Sequence, residues 1–204
     1  MRRALFAIAA VLAATSAAAQ AGSNDVAFRL STASYSSTKL DIGAPASLKV
    51  SFDSKLGFGA SFNHFWTKHL SSEFGIDSLR ADMKIELPPD KINAGSLDIR
   101  SISAVAQWHF TGSPRVDPYA GAGFAYVIGT FDPSGEAGVT ETVHLEDEMT
   151  YLANAGVNFR MTPRASVGFD ARYIPYRPTD SESGDEGRLD VNPLVYSVAV
   201  RFKF

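Results

Sequence analysis

The chain has 204 residues, no cysteine and a formal net charge of −3, and its mean hydropathy of −0.04 is close to zero. The negative charge argues against nucleic acid as a partner, since phosphate binding needs basic residues. The lack of cysteine excludes a disulfide framework, thiolate catalysis and thiolate metal sites.

Residues 1–21 are predicted to form a secretory signal peptide, and residues 22–204 the mature domain. Met1-Arg2-Arg3 gives a charged start, Ala4–Ala14 is apolar, and small residues close the segment. The A-x-A patterns predict cleavage after Ala19 or Ala21. A retained membrane helix is the less favoured alternative, because a helix needs about 20 apolar residues to cross a bilayer.

Eight segments of the mature chain alternate apolar and polar residues with a period of two, which predicts strands with two unlike faces. In the last segment, Tyr196, Val198 and Val200 alternate with Ser197 and Arg201. In chain order the predicted strands are Val26–Tyr35, Leu56–Trp66, Glu73–Lys84, Leu97–Phe110, Tyr119–Phe131, Thr150–Arg160, Ser166–Tyr173 and Leu194–Phe204.

Short and long connections alternate along the chain. The short ones are Thr67–Leu70, Thr111–Asp117 and Thr162–Ala165, and the long ones are Ser36–Lys55, Ile85–Ser96, Asp132–Glu148 and Arg177–Asn192. Bacterial outer-membrane barrels have an even strand number, short periplasmic turns and long external loops. The pattern therefore predicts an all-β fold, an eight-stranded antiparallel transmembrane β-barrel in the bacterial outer membrane.

A soluble barrel such as a lipocalin is the alternative fold, with apolar residues inside and polar residues outside. Charged residues share the polar faces of their strands, whereas Phe28, Ile76, Phe169 and Phe202 lie on the opposite faces. So many rings would overfill a narrow interior, and we therefore expect the aromatic faces to contact lipid.

Charged and amide side chains on the inward faces are predicted to form a lumen network, because eight strands enclose only enough space for side chains to fill. Unpaired charges there would be costly. A movable gate and a purely structural plug both fit this pattern. The predicted members are Arg29, Asp77, Asn154, Asn158, Arg160, Asp170, Arg172 and Arg201.

An apolar pocket is predicted towards the external end of the barrel, lined by Leu152, Ile174 and Tyr176. Pro175 and Pro178 follow the seventh strand, and proline lacks the N–H that a ladder hydrogen bond needs. These prolines either mark a lateral opening in the wall or merely end the strand.

Three stretches together resemble the OmpW family of eight-stranded outer-membrane barrels: Ala106–Phe110 with Asp117–Tyr126, Val167–Tyr173, and Val191–Phe204. The resemblance implies passage of small hydrophobic molecules with lateral exit into lipid. The sequence departs from the family in its first external loop, Ser36–Ser54, which contains no tryptophan. That departure leaves ligand specificity open, but not the fold.

The expected partners are outer-membrane lipid and lipopolysaccharide, a small hydrophobic solute, and the barrel assembly machinery, which would recognise the carboxy-terminal Phe204. No cofactor, metal site or enzymatic activity is expected. His109 and Thr111 have a spacing that fits one strand face, but His109 is interpreted as an interfacial residue. The acidic loops are interpreted as solvated surface in preference to divalent-cation sites. A structural or adhesive barrel with a permanent plug is the alternative function.

Overall fold

The structure is a computed structural model that describes residues 22–35, 38–41, 47–87, 90–110, 113–134, 142–177 and 191–204. The predicted signal peptide, Pro178 and most of the last long loop lie outside the described residues. The strands are β1 (Asn24–Ser34), β2 (Thr38–Asp41), β3 (Ser47–Ser54), β4 (Gly57–Phe65), β5 (Leu70–Leu87), β6 (Asp90–His109), β7 (Val116–Pro133), β8 (Val143–His144), β9 (Glu148–Arg160), β10 (Ala165–Tyr173) and β11 (Leu194–Lys203). Within the described part of the chain, no helix has the length and apolarity needed to cross a membrane.

The strands form one closed antiparallel barrel with eight staves. β3 and β4 are successive parts of one stave, because both pair with β5 on either side of Lys55 and Leu56. The remaining staves follow in the order β1, β11, β10, β9, β7 and β6, and pairing of β5 with β6 closes the ring. The predicted fold class is confirmed.

The two ends of the barrel differ in their connections. The turn end carries the short connections after β4, β6 and β9, which correspond to the predicted short turns. The loop end carries the other connections, and β5, β6 and β7, the longest strands, extend farther there than the other strands.

Two of the predicted long loops are wrong. The Ser36–Lys55 stretch contains the β2–β3 hairpin, and Leu48, Val50 and Phe52 alternate with polar residues as a strand requires. The Ile85–Ser96 stretch is mostly strand, since β5 and β6 pair as far as Leu87 and Asp90. Both stretches were predicted as loops because they are polar, but their strands extend the barrel wall.

The outward face of the barrel is apolar. Phe28, Ile76, Phe169 and Val198 are about half exposed, whereas their inward neighbours Arg29 and Ser197 are buried. A soluble barrel would show the opposite arrangement. The faces predicted for Phe28, Ile76 and Phe169 are therefore those that the structure shows.

Candidate functional site: a charged plug beneath an apolar cluster

A buried carboxylate, Glu73 on β5, lies at the centre of the interior and is 0% exposed. Arg29 Nη1 and Arg172 Nη2 donate hydrogen bonds to its Oε1 at 3.1 and 2.6 Å. Arg201 Nη2 donates to its Oε2 at 3.2 Å. These bonds link β5 to β1, β10 and β11, so they hold together strands that are not neighbours in the wall.

Each of these three arginines also contacts a second carboxylate. Arg29 donates to both oxygens of Asp77 at 3.0 and 2.8 Å, Arg172 to Asp170 at 2.6 Å, and Arg201 to Asp25 at 3.4 Å. Burying a charge is favourable only when it is paired and hydrogen-bonded. The alternation of positive and negative groups meets that condition and forms the charged plug.

Tyr119 on β7 extends the plug to a further stave. Its hydroxyl donates to Asp170 Oδ2 at 2.8 Å, and Asn154 Nδ2 donates to the same oxygen at 3.1 Å. A Cβ atom at Gly156 would lie 2.5 Å from the Tyr119 hydroxyl oxygen. Glycine at this inward position therefore leaves the space that the tyrosine ring occupies.

The structure places most of the predicted lumen residues inside the barrel. Arg29, Asp77, Asn154, Asp170, Arg172 and Arg201 contact one another through the plug, and Asn158 is buried nearer the turn end, where it donates to Asp117 at 3.4 Å. The prediction for Arg160 is wrong. Its side chain is exposed, because β9 ends there and the residue lies on the rim of the barrel.

Sequence reasoning missed three members of the plug. Glu73 shares an inward face with Asp77 at a spacing of four positions and could have been found by period alone. Asp25 lies two positions before the inward Ala27 and carried the same signal. Tyr119 gave no such signal, since aromatic residues were expected to face lipid.

A second hydrogen-bonded set lies between the plug and the turn end. Ser71 Oγ and His109 Nε2 are 2.9 Å apart, and His109 Nδ1 is 2.9 Å from Asp117 Oδ2. The interpretation of His109 as an interfacial residue is wrong, because the ring is inside the barrel and 1% exposed. A serine–histidine–aspartate order occurs in hydrolases, but Ser71 is also only 1% exposed, so no substrate reaches its hydroxyl.

An apolar cluster fills the interior on the loop side of the plug. It contains all three residues of the predicted pocket, Leu152, Ile174 and Tyr176, each at most 4% exposed. The other main members are Leu79, Leu97, Ile99, Val127, Val191 and Val195. These side chains pack together and fill the interior at this level.

Tyr176 covers the cluster at the loop end. Its hydroxyl donates to the carbonyl oxygen of Glu146 at 3.3 Å, and a Cβ atom at Gly129 would lie 2.3 Å from the Tyr176 hydroxyl oxygen. Burial raises the pKa of this phenol, and the nearby Glu148 and Asp147 carboxylates act in the same direction. The hydroxyl therefore stays protonated and available as a donor.

At the loop end, the barrel wall beside this cluster is shorter on the β10 side than on the β9 side. β10 ends at Tyr173, which pairs with Ala153, whereas β9 continues to Glu148 with β7 as its strand partner. Ile174–Arg177 follows β10 with Pro175 buried within it, and the Arg177 backbone N–H donates to the Glu148 side chain at 2.7 Å. Among the described residues, this end of β9 has no strand partner on the β10 side.

The described residues include no group of three or more histidine or acidic side chains arranged to hold a metal ion. Glu136, Glu141 and the acidic residues of 178–190 lie outside the described residues. The interpretation of the acidic loops therefore stays a prediction.

Solved structures of several bacterial outer-membrane proteins are similar to this chain. OprG from Pseudomonas aeruginosa superposes with a TM-score of 0.74 at 16% identity, covering 91% of this chain and 97% of OprG. AlkL, determined in lipid bilayers, gives 0.64 at 20% identity over 94% of both chains. Neisserial surface protein A gives 0.59 at 19% identity, covering 90% of this chain and 99% of that protein. At these identities the similarity shows the fold alone.

No curated protein sequence matches the chain. A sequence profile of the outer membrane protein beta-barrel domain matches residues 7–204, which is nearly the whole length. Together with the closed barrel and its apolar outer face, this match locates the protein in the bacterial outer membrane. The chain belongs to the outer membrane protein beta-barrel domain family.

Proposed function

We propose that this barrel lets small hydrophobic molecules pass from outside into the outer membrane without an energy source. The observation that carries the proposal is the apolar cluster enclosed above a charged plug, beside the low part of the wall. This function is of the OmpW type that the sequence resembles.

The charged plug disfavours a straight aqueous path. Arg29, Arg172 and Arg201 cross the interior to Glu73, so a polar solute would have to displace paired buried charges. Breaking such pairs costs several kcal/mol. A hydrophobic solute gains nothing from the charged layer and is expected to stay on its loop side.

The apolar cluster supplies a matching environment for such a solute. Leu152, Ile174 and Val191 present apolar side chains, and apolar groups gain about 25 cal/mol per Å² of surface removed from water. Entry requires Tyr176 to move, because it is fully buried over the cluster. The bond from its hydroxyl to Glu146 is long at 3.3 Å and adds little, so the packing of the ring is what mainly opposes that movement.

Lateral exit is proposed beside the end of β9. Ile174–Arg177 replaces strand β10 there, and Pro175 cannot donate a ladder hydrogen bond. Among the described residues, no strand ladder joins this segment to β9. Displacing it breaks the bonds from Ile174 N–H to the Pro193 carbonyl at 3.3 Å and from Val191 N–H to the Tyr176 carbonyl at 3.0 Å. Leu152 would then connect the cluster to lipid. Pro178, the second proline of the proposed opening, lies outside the described residues.

The proposal includes no chemical reaction, since Ser71 and His109 are buried together. Outer-membrane lipid and lipopolysaccharide form the surroundings, and recognition of Phe204 by the barrel assembly machinery is part of the hypothesis. In the folded barrel the Phe204 backbone bonds to Asn24 in both directions, at 2.9 and 3.1 Å.

Uptake into proteoliposomes tests the function. Wild type should accelerate entry of a fluorescent alkyl probe but not of a small sugar. Leu152→Glu, which adds a charge to the cluster, should reduce probe entry about tenfold. Leu56→Glu adds the same charge between β3 and β4, four staves away from β9, where the side chain is 64% exposed, and should leave entry unchanged. Folding of each variant is checked by heat-modified gel mobility.

Two outcomes would contradict the proposal. Sugar entry as fast as probe entry would mean that the plug does not close the interior. Probe entry no faster than in protein-free liposomes would favour a structural or adhesive barrel with a permanent plug.

A further inference from the structure

A basic cleft opens at the turn end of the barrel, and nothing in the proposed passage uses it. The enclosed part of the cleft holds about 50 Å³, and Arg115, Arg160, Arg164 and Lys203 line it. Backbone hydrogen bonds bring their segments together: Arg160 N–H donates to Arg115 at 2.8 Å, and Lys203 N–H donates to Arg164 at 2.8 Å. Four positive side chains therefore share one concave surface.

These charges are not neutralised by the protein. The two carboxylates in the cleft are engaged elsewhere, Asp25 with Arg201 at 3.4 Å and Asp117 with His109 at 2.9 Å. Across the described ranges, none of the four cations has a carboxylate within salt-bridge distance. Like charges held close together repel, and an anion between them would relieve that repulsion.

The loop end of the same barrel shows a different arrangement. There Lys55 lies 2.7 Å from Asp82, and Lys84 contacts Asp53. Two exposed lysines at the loop end are thus paired with carboxylates. At the turn end, the cleft cations have no such pair among the described residues, and Lys203 Nζ lies over the Phe65 ring at 5.4 Å. This difference between the two ends argues that the basic cleft does not simply reflect how exposed cations are arranged over the whole barrel.

A buried donor lies in the lining of the cleft. Arg201 is 3% exposed, and its Nη atoms contact Glu73, Asp25 and Tyr119. Its Nε, also buried, has no hydrogen-bond partner among the described residues. An unsatisfied buried N–H costs about 1–3 kcal/mol, so an acceptor reaching this position would be favoured.

We propose that this cleft binds a phosphate-bearing anion at the periplasmic side of the membrane. Guanidinium groups present paired donors that match phosphate oxygens, and three of the four rim cations are arginines. The turn end of bacterial barrels faces the periplasm, where both inner-leaflet phospholipid headgroups and soluble phosphate compounds are available. The exposed Met161 beside Arg160 gives acyl chains an apolar path over the rim.

Calorimetric titration of the folded protein in an uncharged detergent tests this proposal. The probes are dioleoylphosphatidylglycerol in mixed micelles, dioleoylphosphatidylcholine as the lipid without net charge, and inorganic phosphate. Wild type should bind phosphatidylglycerol at least about tenfold more tightly than phosphatidylcholine. Arg160→Gln and Arg164→Gln should each weaken binding about tenfold, the loss of one charge-assisted hydrogen bond. Both side chains are exposed, so the barrel should still fold.

Lys68→Gln is the matched control, because Lys68 is an exposed cation at the turn end that does not line the cleft. It should change binding less than about twofold. Binding of phosphatidylglycerol alone would identify a lipid headgroup, and binding of inorganic phosphate as well would show that the phosphate group suffices. The proposal would be overturned if neither phosphatidylglycerol nor inorganic phosphate bound. It would also be overturned if Lys68→Gln weakened binding as much as Arg160→Gln and Arg164→Gln do.

Discussion

Replacing Glu73 with glutamine removes the carboxylate at the centre of the plug while keeping the size of the side chain. The amide oxygen can take the position of Oε1 and accept from Arg29 and Arg172. The amide NH₂ then meets Arg201 Nη2, which lies 3.2 Å from Oε2, so two donors face each other. One charge-assisted hydrogen bond is lost and the other two become weaker.

The magnitude follows from burial. Glu73 is fully buried, and each of its arginine partners keeps at least one other carboxylate. Breaking a buried ion pair by removing one partner costs about 3–5 kcal/mol. We expect the free energy of unfolding of Glu73→Gln to fall by about that amount.

Equilibrium urea unfolding in short-chain phosphatidylcholine liposomes measures the change. Trp66 and Trp108 lie on the outer face, 61% and 51% exposed, so their fluorescence reports insertion into lipid. Asp53→Asn is the control, since Asp53 pairs with Lys84 in an exposed ion pair worth about 1 kcal/mol or less. A Glu73→Gln protein within about 1 kcal/mol of wild type would refute the reasoning, as would an equal loss in the control.

Three further predictions follow from the faces and the ends of the barrel. Phe169→Arg should lower the free energy of unfolding in lipid by about 2–4 kcal/mol, because the Phe169 side chain faces the membrane away from both ends of the barrel. Met161→Arg at the rim should cost about 1 kcal/mol or less. Equal losses in the two variants would contradict the assigned depths. Gly156→Val should cost at least about 1–3 kcal/mol, because a Cβ there would lie 2.5 Å from both the Phe169 carbonyl oxygen and the Tyr119 hydroxyl. Ala155→Val on the lipid side should be nearly neutral in the same unfolding assay. Val143→Cys, the sole thiol in this cysteine-free chain, should react with an impermeant maleimide on intact cells; reaction only after permeabilisation would reverse the topology.

Much of the fold could be predicted from local pattern. Alternation of period two places Tyr196, Val198 and Val200 on the lipid face and Ser197 and Arg201 inside, whatever the rest of the chain does. The alternation of short and long connections then orders the strands, since antiparallel neighbours are joined directly. The extensions were missed where polar composition concealed the pattern, as in Ser47–Ser54.

The candidate site was predictable only in part. Inward position is a local property, so Arg29, Asp170 and Arg172 were identified from their faces. The end of β9 was predicted at Arg160, but an inward face does not distinguish the lumen from the mouth of the barrel, and Arg160 was therefore assigned to the lumen although it lies on the rim.

The sequence by itself determined which residues face the interior, because side-chain direction in a strand depends only on position parity. Only the tertiary structure decided which of them meet. Glu73 contacts Arg172 and Arg201 across 99 and 128 positions of the chain, and those contacts depend on how the barrel closes. The packing of Tyr176 against Gly129 likewise depends on where β10 stops relative to β7 and β9. Closure brings distant residues within a few ångströms of one another, and no local pattern encodes that distance.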